Sequence, residues 1–282
     1  MAAVDLQARL QAVLDGPLVL VGGGRMGAAL LRGWLDRGLS SKDVVVVEPD
    51  TAIRETLAVH DLGGLHAGAD EIDAPSPGVL VLAVKPQVMD AVLADHVDRV
   101  GPSTLVVSIA AGKPLATFEA AFGSAQPIVR VMPNTPASVG CGMSVLIANA
   151  AVDEAQRAAA EALMQAVGRT AWIEDEELMH AVTGLSGSGP AYVFHMCEAM
   201  TAAGIQAGLP VELATMLARQ TIYGAGVLLE RSDDDAAKLR ADVTSPGGTT
   251  QAGLEVWMAE GAVEKLMGAT VAAAARRSAE LA

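Results

Sequence analysis

LVLVGGGRMGAALLRGWLDRGLSSKDVVVVEPD, residues 18–50, is the stretch that decides the fold. It opens on an apolar run, passes through three adjacent glycines into a segment of helical periodicity, and returns to a second apolar run, VVVV (44–47). Short β-branched runs bounded by Gly or Asp are the pattern of strands buried on both faces. The turn after the first run reads G-x-G-x-x-G. Gly22 suits a tight turn, Gly24 the close approach of a pyrophosphate, and Gly27 the packing of helix on strand. Arg25 and Met26 stand at the helix start, where free N–H groups favour an anion. Three glycines alone could be an ordinary turn. With a strand before, a helix after and Glu48 at the end of the next strand, they read as a dinucleotide site. A carboxylate at that point accepts hydrogen bonds from the adenosine ribose and repels a 2′-phosphate, so charge favours NADH over NADPH. Arg54, close by, could serve a phosphate or pair with Glu48, and Glu48 itself could be only a solvated strand-end charge.

Outward from this stretch the alternation continues. VLVLAV (79–84), LVVSI (105–109) and IVRV (128–131) repeat the strand pattern, and residues 26–37, 51–60, 87–97 and 115–122 carry helical periodicity. Repeated strand–helix units predict a doubly wound parallel α/β sheet of Rossmann type over residues 17–172. After Trp172 the strand signal stops. Residues 176–185, 191–207, 211–230 and 251–282 read as helices, with Pro190 and Pro210 near helix starts. The expected second domain, 173–282, is therefore all-α. Several of its helices are apolar around most of their circumference, which predicts burial against a second subunit.

The chain has 282 residues and a formal charge of −14, which disfavours nucleic acid and anionic membranes as partners. Residues 1–16, with Asp5, Arg9 and Asp15, read as a short amphipathic extension rather than a signal peptide. The longest nearly uncharged stretch, 181–197, is broken by GSGP and too short to span a bilayer. Cys141 and Cys197 are far apart and expected to be buried, reduced thiols, so the chain is expected to be soluble and cytoplasmic. The five histidines (60, 66, 96, 180, 195) lack metal-ligand spacing, no metal is expected, and His195 reads as a core histidine.

Four further stretches carry more information: VLAVKPQ (81–87), VRVMPNTPASVGCG (129–142), GLSGSGPAYVF (184–194) and DVTSPGGTTQAGL (242–254). In this order and spacing they closely resemble pyrroline-5-carboxylate reductases, from about residue 17 to 281. The resemblance implies reduction of 1-pyrroline-5-carboxylate to L-proline by NADH or NADPH, the last step of proline biosynthesis. It implies a helical domain that interlocks with its twin in a homodimer, larger assemblies of such dimers, and an active site between the domains. It also implies that the backbone of Ala83, Val84, Lys85 and Pro86 borders the cofactor, with Ala110 beside it. The MPNTP loop would close over the nicotinamide, with Asn134 offering its amide. Ser188, Gly189 and Pro190 would bring a helix N-terminus to the substrate, near Val243, and Asp233 would occupy an acidic position close to it, though helix capping suits Asp233 equally.

Physically, Pro246 fixes a backbone angle while Gly247 and Gly248 tolerate positive φ, so the next N–H groups could form a nest for a carboxylate. Thr249 and Thr250 could simply cap the helix that follows. The resemblance places Thr250 where its hydroxyl meets the ring nitrogen of the substrate, orienting and polarising it. A basic imine takes its proton from solvent, so no acid–base cluster is needed. A nucleophile elbow fails, because neither Ser186 nor Ser188 has glycine at both required positions. One departure stands out: Glu48-Pro49-Asp50 replaces the polar, basic run that many family members carry, which puts NADPH preference in doubt. A related imine reductase, or another Rossmann-plus-helical dehydrogenase on a small carboxylate, is the alternative. A hydroxy-acid enzyme would want a lysine that GSGPAYVFHMCEAM does not offer, and a nucleotide-sensing module would not keep both SPGGTT and GSGPAY.

Overall fold

The computed structural model describes residues 16–72 and 76–282. The expected N-terminal extension lies outside them except for Gly16. Two compact units divide the chain: one runs through Gly187 and includes Ala274–Ala282, the other is Ser188–Ala273. The sequence pattern changes at Trp172, but packing divides later. Met179, on the helix that follows, is fully buried with Val145 and Ile147 of the sheet.

The first unit is built on an eight-stranded sheet in the order β3-β2-β1-β4-β5-β6-β7-β8. Its strands are β1 (Leu18–Val21), β2 (Val44–Val47), β3 (Gly64–His66), β4 (Val79–Leu82), β5 (Leu105–Ser108), β6 (Ile128–Met132), β7 (Gly142–Ala148) and β8 (Gly168–Trp172). Every residue of β1, β2, β4 and β5 is buried, as helices on both faces of a parallel sheet require. The helices are α1 (Arg25–Asp36), α2 (Thr51–Leu57), α3 (Met89–His96), α4 (Leu115–Phe122), α5 (Glu154–Gln165) and α6 (Leu178–Val182), the last continuing as a π-helical turn, Thr183–Gly187. Trp34 of α1 is fully buried and donates its ring N–H to Leu163 O of α5 at 2.9 Å.

The sheet is not wholly parallel. β6 and β7 pair antiparallel, because only the short 3-10 segment Thr135–Val139 separates them, and a parallel return needs a long crossover. β8 is again parallel to β7, after α5. A capping box of Asp153 and Gln156 starts that helix. Chain order reverses beside β1, which pairs with β2 on one side and β4 on the other. That switch point opens a crevice at the carboxyl ends of the strands, where such sheets bind ligands.

The second unit consists of α7 (Gly189–Gln206), α8 (Val211–Arg231), α9 (Ala236–Asp242), α10 (Thr249–Trp257) and most of α11 (Ala262–Glu280). Gly204 lets α7 approach α8: a Cβ there would sit 3.2 Å from Ala214 Cβ. The expected single helix over 251–282 is interrupted, since Glu260 and Gly261 adopt positive φ of 54° and 65°. Phe194, Met216, Tyr223, Leu228 and Trp257 are all exposed on the chain alone. His195 is exposed as well and pairs with Glu198 at 3.0 Å, so it is no core histidine. Of the thiols, Cys141 is exposed and only Cys197 half-buried. Among the described residues no helix is long and apolar enough to cross a membrane.

Candidate functional site

The crevice at the switch point is a groove of about 590 Å³, within the range of small-ligand sites. One wall is the glycine turn. Gly22 has φ +98°, and a Cβ there would lie 2.7 Å from Ala83 O. A Cβ at Gly27 would lie 2.0 Å from Gly22 O, so only glycine lets α1 sit this close to the strand end. Gly24 is different: no atom comes within 4 Å of its Cβ position, and it faces open space. Gly24 also N-caps α1 without any side chain occupying the first N–H groups. A bare helix start facing an open groove fits the pyrophosphate of a dinucleotide.

Ala83, Val84, Lys85, Pro86 and Ala110 line the same groove, with Arg25 and Met26. Arg25 and Lys85 are exposed, and neither charged side chain has a hydrogen bond or ion pair with another described residue. In a chain of net charge −14, two unpaired cations along one groove make it a local attractor for anions.

Glu48 is buried, 7% exposed, and held from both sides. Its carboxylate accepts from Gly23 N–H at 2.7 Å and from Asp50 N–H at 2.9 Å. It therefore fixes the glycine turn as well as placing a negative charge beside it. The pairing of Arg54 with the Glu48 carboxylate does not occur. The guanidinium donates instead to the main-chain oxygens of Glu48 and Pro49, each at 2.7 Å. Asp50 N-caps α2 through Ala52 and Ile53 N–H.

The opposite wall is Met132, Pro133, Asn134 and Thr135, with Gly187 from the π-helical turn. The amide of Asn134, expected to be offered to a ligand, is already engaged. Its Nδ2 donates to Ser186 O at 3.2 Å and Oγ at 3.3 Å, and its Oδ1 accepts from Met143 N–H at 2.8 Å. Beneath this wall Arg130 donates to Glu176 Oε1 at 2.7 Å, and the same oxygen accepts from Leu115 N–H at 2.8 Å. Sequence reasoning missed Ser186, Met143, Arg130 and Glu176 as supports. A buried Arg inside an apolar strand was the one signal that could have pointed to a counter-charge.

In the second unit, the SPGGTT segment forms the turn ahead of α10. Gly247 has φ +71°. Its N–H goes to Gln251 Oε1 at 2.8 Å, and Gly248 N–H to Ser245 O at 3.0 Å, so neither glycine offers its own N–H to a ligand. α10 begins at Thr249 with Gly248 as N-cap and no side-chain cap. Neither threonine is a cap. Both are exposed, and their hydroxyls and N–H groups have no partner among the described residues. Val243 and Asp233 are exposed too. The capping residue of α9 is Asp235, not Asp233. Ser188 N-caps α7 without using its hydroxyl, Pro190 lies in the first turn, and Gly189 faces open space. Among the described residues no group of three or more His, Cys, Asp or Glu is arranged to hold a metal.

Comparison with known proteins places these features in one lineage. Residues 176–281 match the family model described as pyrroline-5-carboxylate reductase dimerisation, and residues 17–112 match NADP oxidoreductase coenzyme F420-dependent. The pyrroline-5-carboxylate reductase of Pseudomonas aeruginosa is 41% identical over 266 residues, covering 94% of this chain and 96% of that protein. The chain belongs to the pyrroline-5-carboxylate reductase family. The solved pyrroline-5-carboxylate reductase of Coxiella burnetii superposes with a TM-score of 0.89 at 33% identity, covering 95% of this chain and 98% of that one. A Plasmodium falciparum relative, solved with NADP bound, superposes at 0.79 with 28% identity over 95% of this chain and 98% of its own. In this chain Glu48-Pro49-Asp50 is a hydrogen-bonded corner rather than a solvated strand end.

Proposed function

We propose that this protein reduces 1-pyrroline-5-carboxylate to L-proline with NADH or NADPH, closing proline biosynthesis. The observation that carries the reading is the start of α10, where a positive-φ glycine turn leads into a helix whose first N–H groups and two threonine hydroxyls are unspent. A carboxylate suits those N–H groups, with Gly247 and Gly248 shaping the turn and Thr249 closing on the anion. Thr250 then directs its hydroxyl to the ring nitrogen and orients the imine. Ser188, Gly189 and Pro190 form a second helix start for the same substrate, with Val243 as an apolar contact. Asp233, uncommitted to any cap, holds a negative charge toward the protonated ring nitrogen. The proton on that nitrogen comes from solvent, because the imine is basic.

Gly22, Gly24, Arg25, Met26 and Gly27 cradle the pyrophosphate, and Ala83, Val84, Lys85, Pro86 and Ala110 border the rest of the dinucleotide. When bound, the reduced nicotinamide supplies the hydride. Glu48 accepts from the adenosine ribose hydroxyls, and its charge disfavours a 2′-phosphate, so NADH is the preferred donor. The exposed apolar side chains of α7 and α8 are covered in a homodimer through the helical unit, and such dimers can assemble further. The free thiol at Cys141 suits a reducing, cytoplasmic compartment. The test is an assay with pyrroline-5-carboxylate and each nucleotide in turn. Turnover to proline supports the reading, and none with either nucleotide refutes it.

A further inference from the structure

Asn134 lines the groove, yet its carboxamide points its polar atoms into the protein. The reason lies in the turn it reaches. Thr183–Gly187 is a π-helical turn, a rare form found often at functional sites. In a regular helix the Ser186 carbonyl would accept from the residue four positions on. That residue is Pro190, which has no N–H. The next N–H, of Ala191, is spent on Ser188 O at 3.0 Å. The Asn134 carboxamide therefore supplies a donor the main chain lacks there.

The other end of the same amide holds Met143 N–H at the start of β7. One side chain thus joins three places: the loop after β6, the first residues of β7 and the end of the π-turn. Gly187, next to the bonded Ser186, is itself a wall of the groove, and a Cβ there would strike Met132 Cε at 2.3 Å.

We infer that Asn134 is a positioning residue, which fixes the wall of residues 132–135 and Gly187 by satisfying the carbonyl that Pro190 leaves without a main-chain donor. This rests on the reductase reading above. It differs from a direct contact in what it predicts. Asn134→Ala orphans Ser186 O and Met143 N–H and lets the wall drift. Displacement on the order of 1 Å lowers kcat/KM by about 10–100-fold. Affinity for ADP-ribose, which lacks the nicotinamide, stays within about twofold, since its contacts lie at the Gly22–Glu48 end.

The deciding variant is Asn134→Ala/Pro190→Ala. Replacing the proline restores an N–H four residues after Ser186, so the main chain regains its own donor. Because Pro190 also stands at the helix start assigned to the substrate, the readout is NADH affinity by titration, which Asn134→Ala weakens and the double variant should recover several-fold. If Asn134→Ala does not fold, Asn134→Asp replaces it in both backgrounds, because Asp keeps an acceptor for Met143 N–H but is no donor at neutral pH. Wild-type kinetics in the single variant would overturn the inference. So would a double variant no better than the single in NADH affinity, which is the outcome for a residue that touches the nicotinamide directly. Wild-type turnover of pyrroline-5-carboxylate is measured first. If it is absent, the reductase reading fails by itself, while NADH against ADP-ribose affinity still decides the role of Asn134.

Discussion

Arg130 and Glu176 share one ion pair but not one environment, and truncating them should have unequal costs. The Arg130 side chain is 5% exposed and that of Glu176 is 29% exposed, at 2.7 Å separation. Glu176→Ala leaves a guanidinium sealed in the sheet without its counter-charge and strips the acceptor from Leu115 N–H. Breaking a buried pair from one side costs about 3–5 kcal/mol, and an orphaned amide about 1–3 kcal/mol in part overlap with it. A loss of about 4 kcal/mol is expected. Arg130→Met fills much of the same volume with an apolar chain and leaves a carboxylate that still accepts from Leu115 N–H and still reaches water. Its expected loss is about 1–2 kcal/mol, because the remaining charge keeps solvent and one hydrogen bond. Urea unfolding of both variants, with slopes matching the wild type, measures the difference. Equal losses, or a larger loss for Arg130→Met, would refute the reasoning that the deeper member of the pair sets the cost.

Thr250→Ala should lower kcat/KM by about 10–100-fold, roughly 1.4–2.7 kcal/mol of transition-state stabilisation, with the unfolding midpoint unmoved because Thr250 does not cap α10. An unchanged rate would remove Thr250 from the site. Burial holds the His96 imidazole below its ordinary 6.5, against the Val92 carbonyl, which favours the charged form. Since the unfolded chain binds that proton more readily, His96 should leave stability intact above pH 6.5 and erode it as pH falls below 6.5. Replacing His96 with Leu should flatten that part of the urea-midpoint profile, and an unaltered slope would count against it. Gly27→Ala forces a Cβ to within 2.0 Å of Gly22 O, so calorimetry should show NADH binding weakened by about tenfold or more, with ~1–3 kcal/mol of overpacking strain. Glu48→Gln keeps one acceptor for its two N–H partners but loses the charge. It should shift the NADPH-to-NADH ratio of kcat/KM upward by about tenfold, a repulsion of roughly 1–2 kcal/mol at solvent-like dielectric. No change in that ratio would show that Glu48 serves only the loop.

The parts of the fold written in local pattern were legible. LVLV and VVVV are uniformly apolar because both faces are covered, and the glycine turn sits between strand and helix where expected. β3, β7 and β8 were not anticipated: β3 and β8 have no buried residue and so no clean apolar run, whereas β7 is mostly buried and its run was missed nonetheless. The antiparallel pairing of β7 depends on a short connection and on what β6 leaves unpaired, neither of which periodicity reports. At the site, the sequence named Asn134 and Thr250 as polar groups in motifs but could not say which bonds they already make. Pro190 shows why. Its missing N–H matters only once the turn before it and the loop across from it are placed together. Glu48 illustrates the same limit, since its charge was legible and its two backbone donors were not.

The most direct measurement is the steady-state reduction of pyrroline-5-carboxylate by the purified protein, followed by nucleotide oxidation and by proline formed, with NADH and NADPH in parallel. The expected result is one proline per nucleotide oxidised, at higher kcat/KM with NADH. No proline with either nucleotide would contradict the proposed activity, and a higher kcat/KM with NADPH would contradict the part assigned to Glu48.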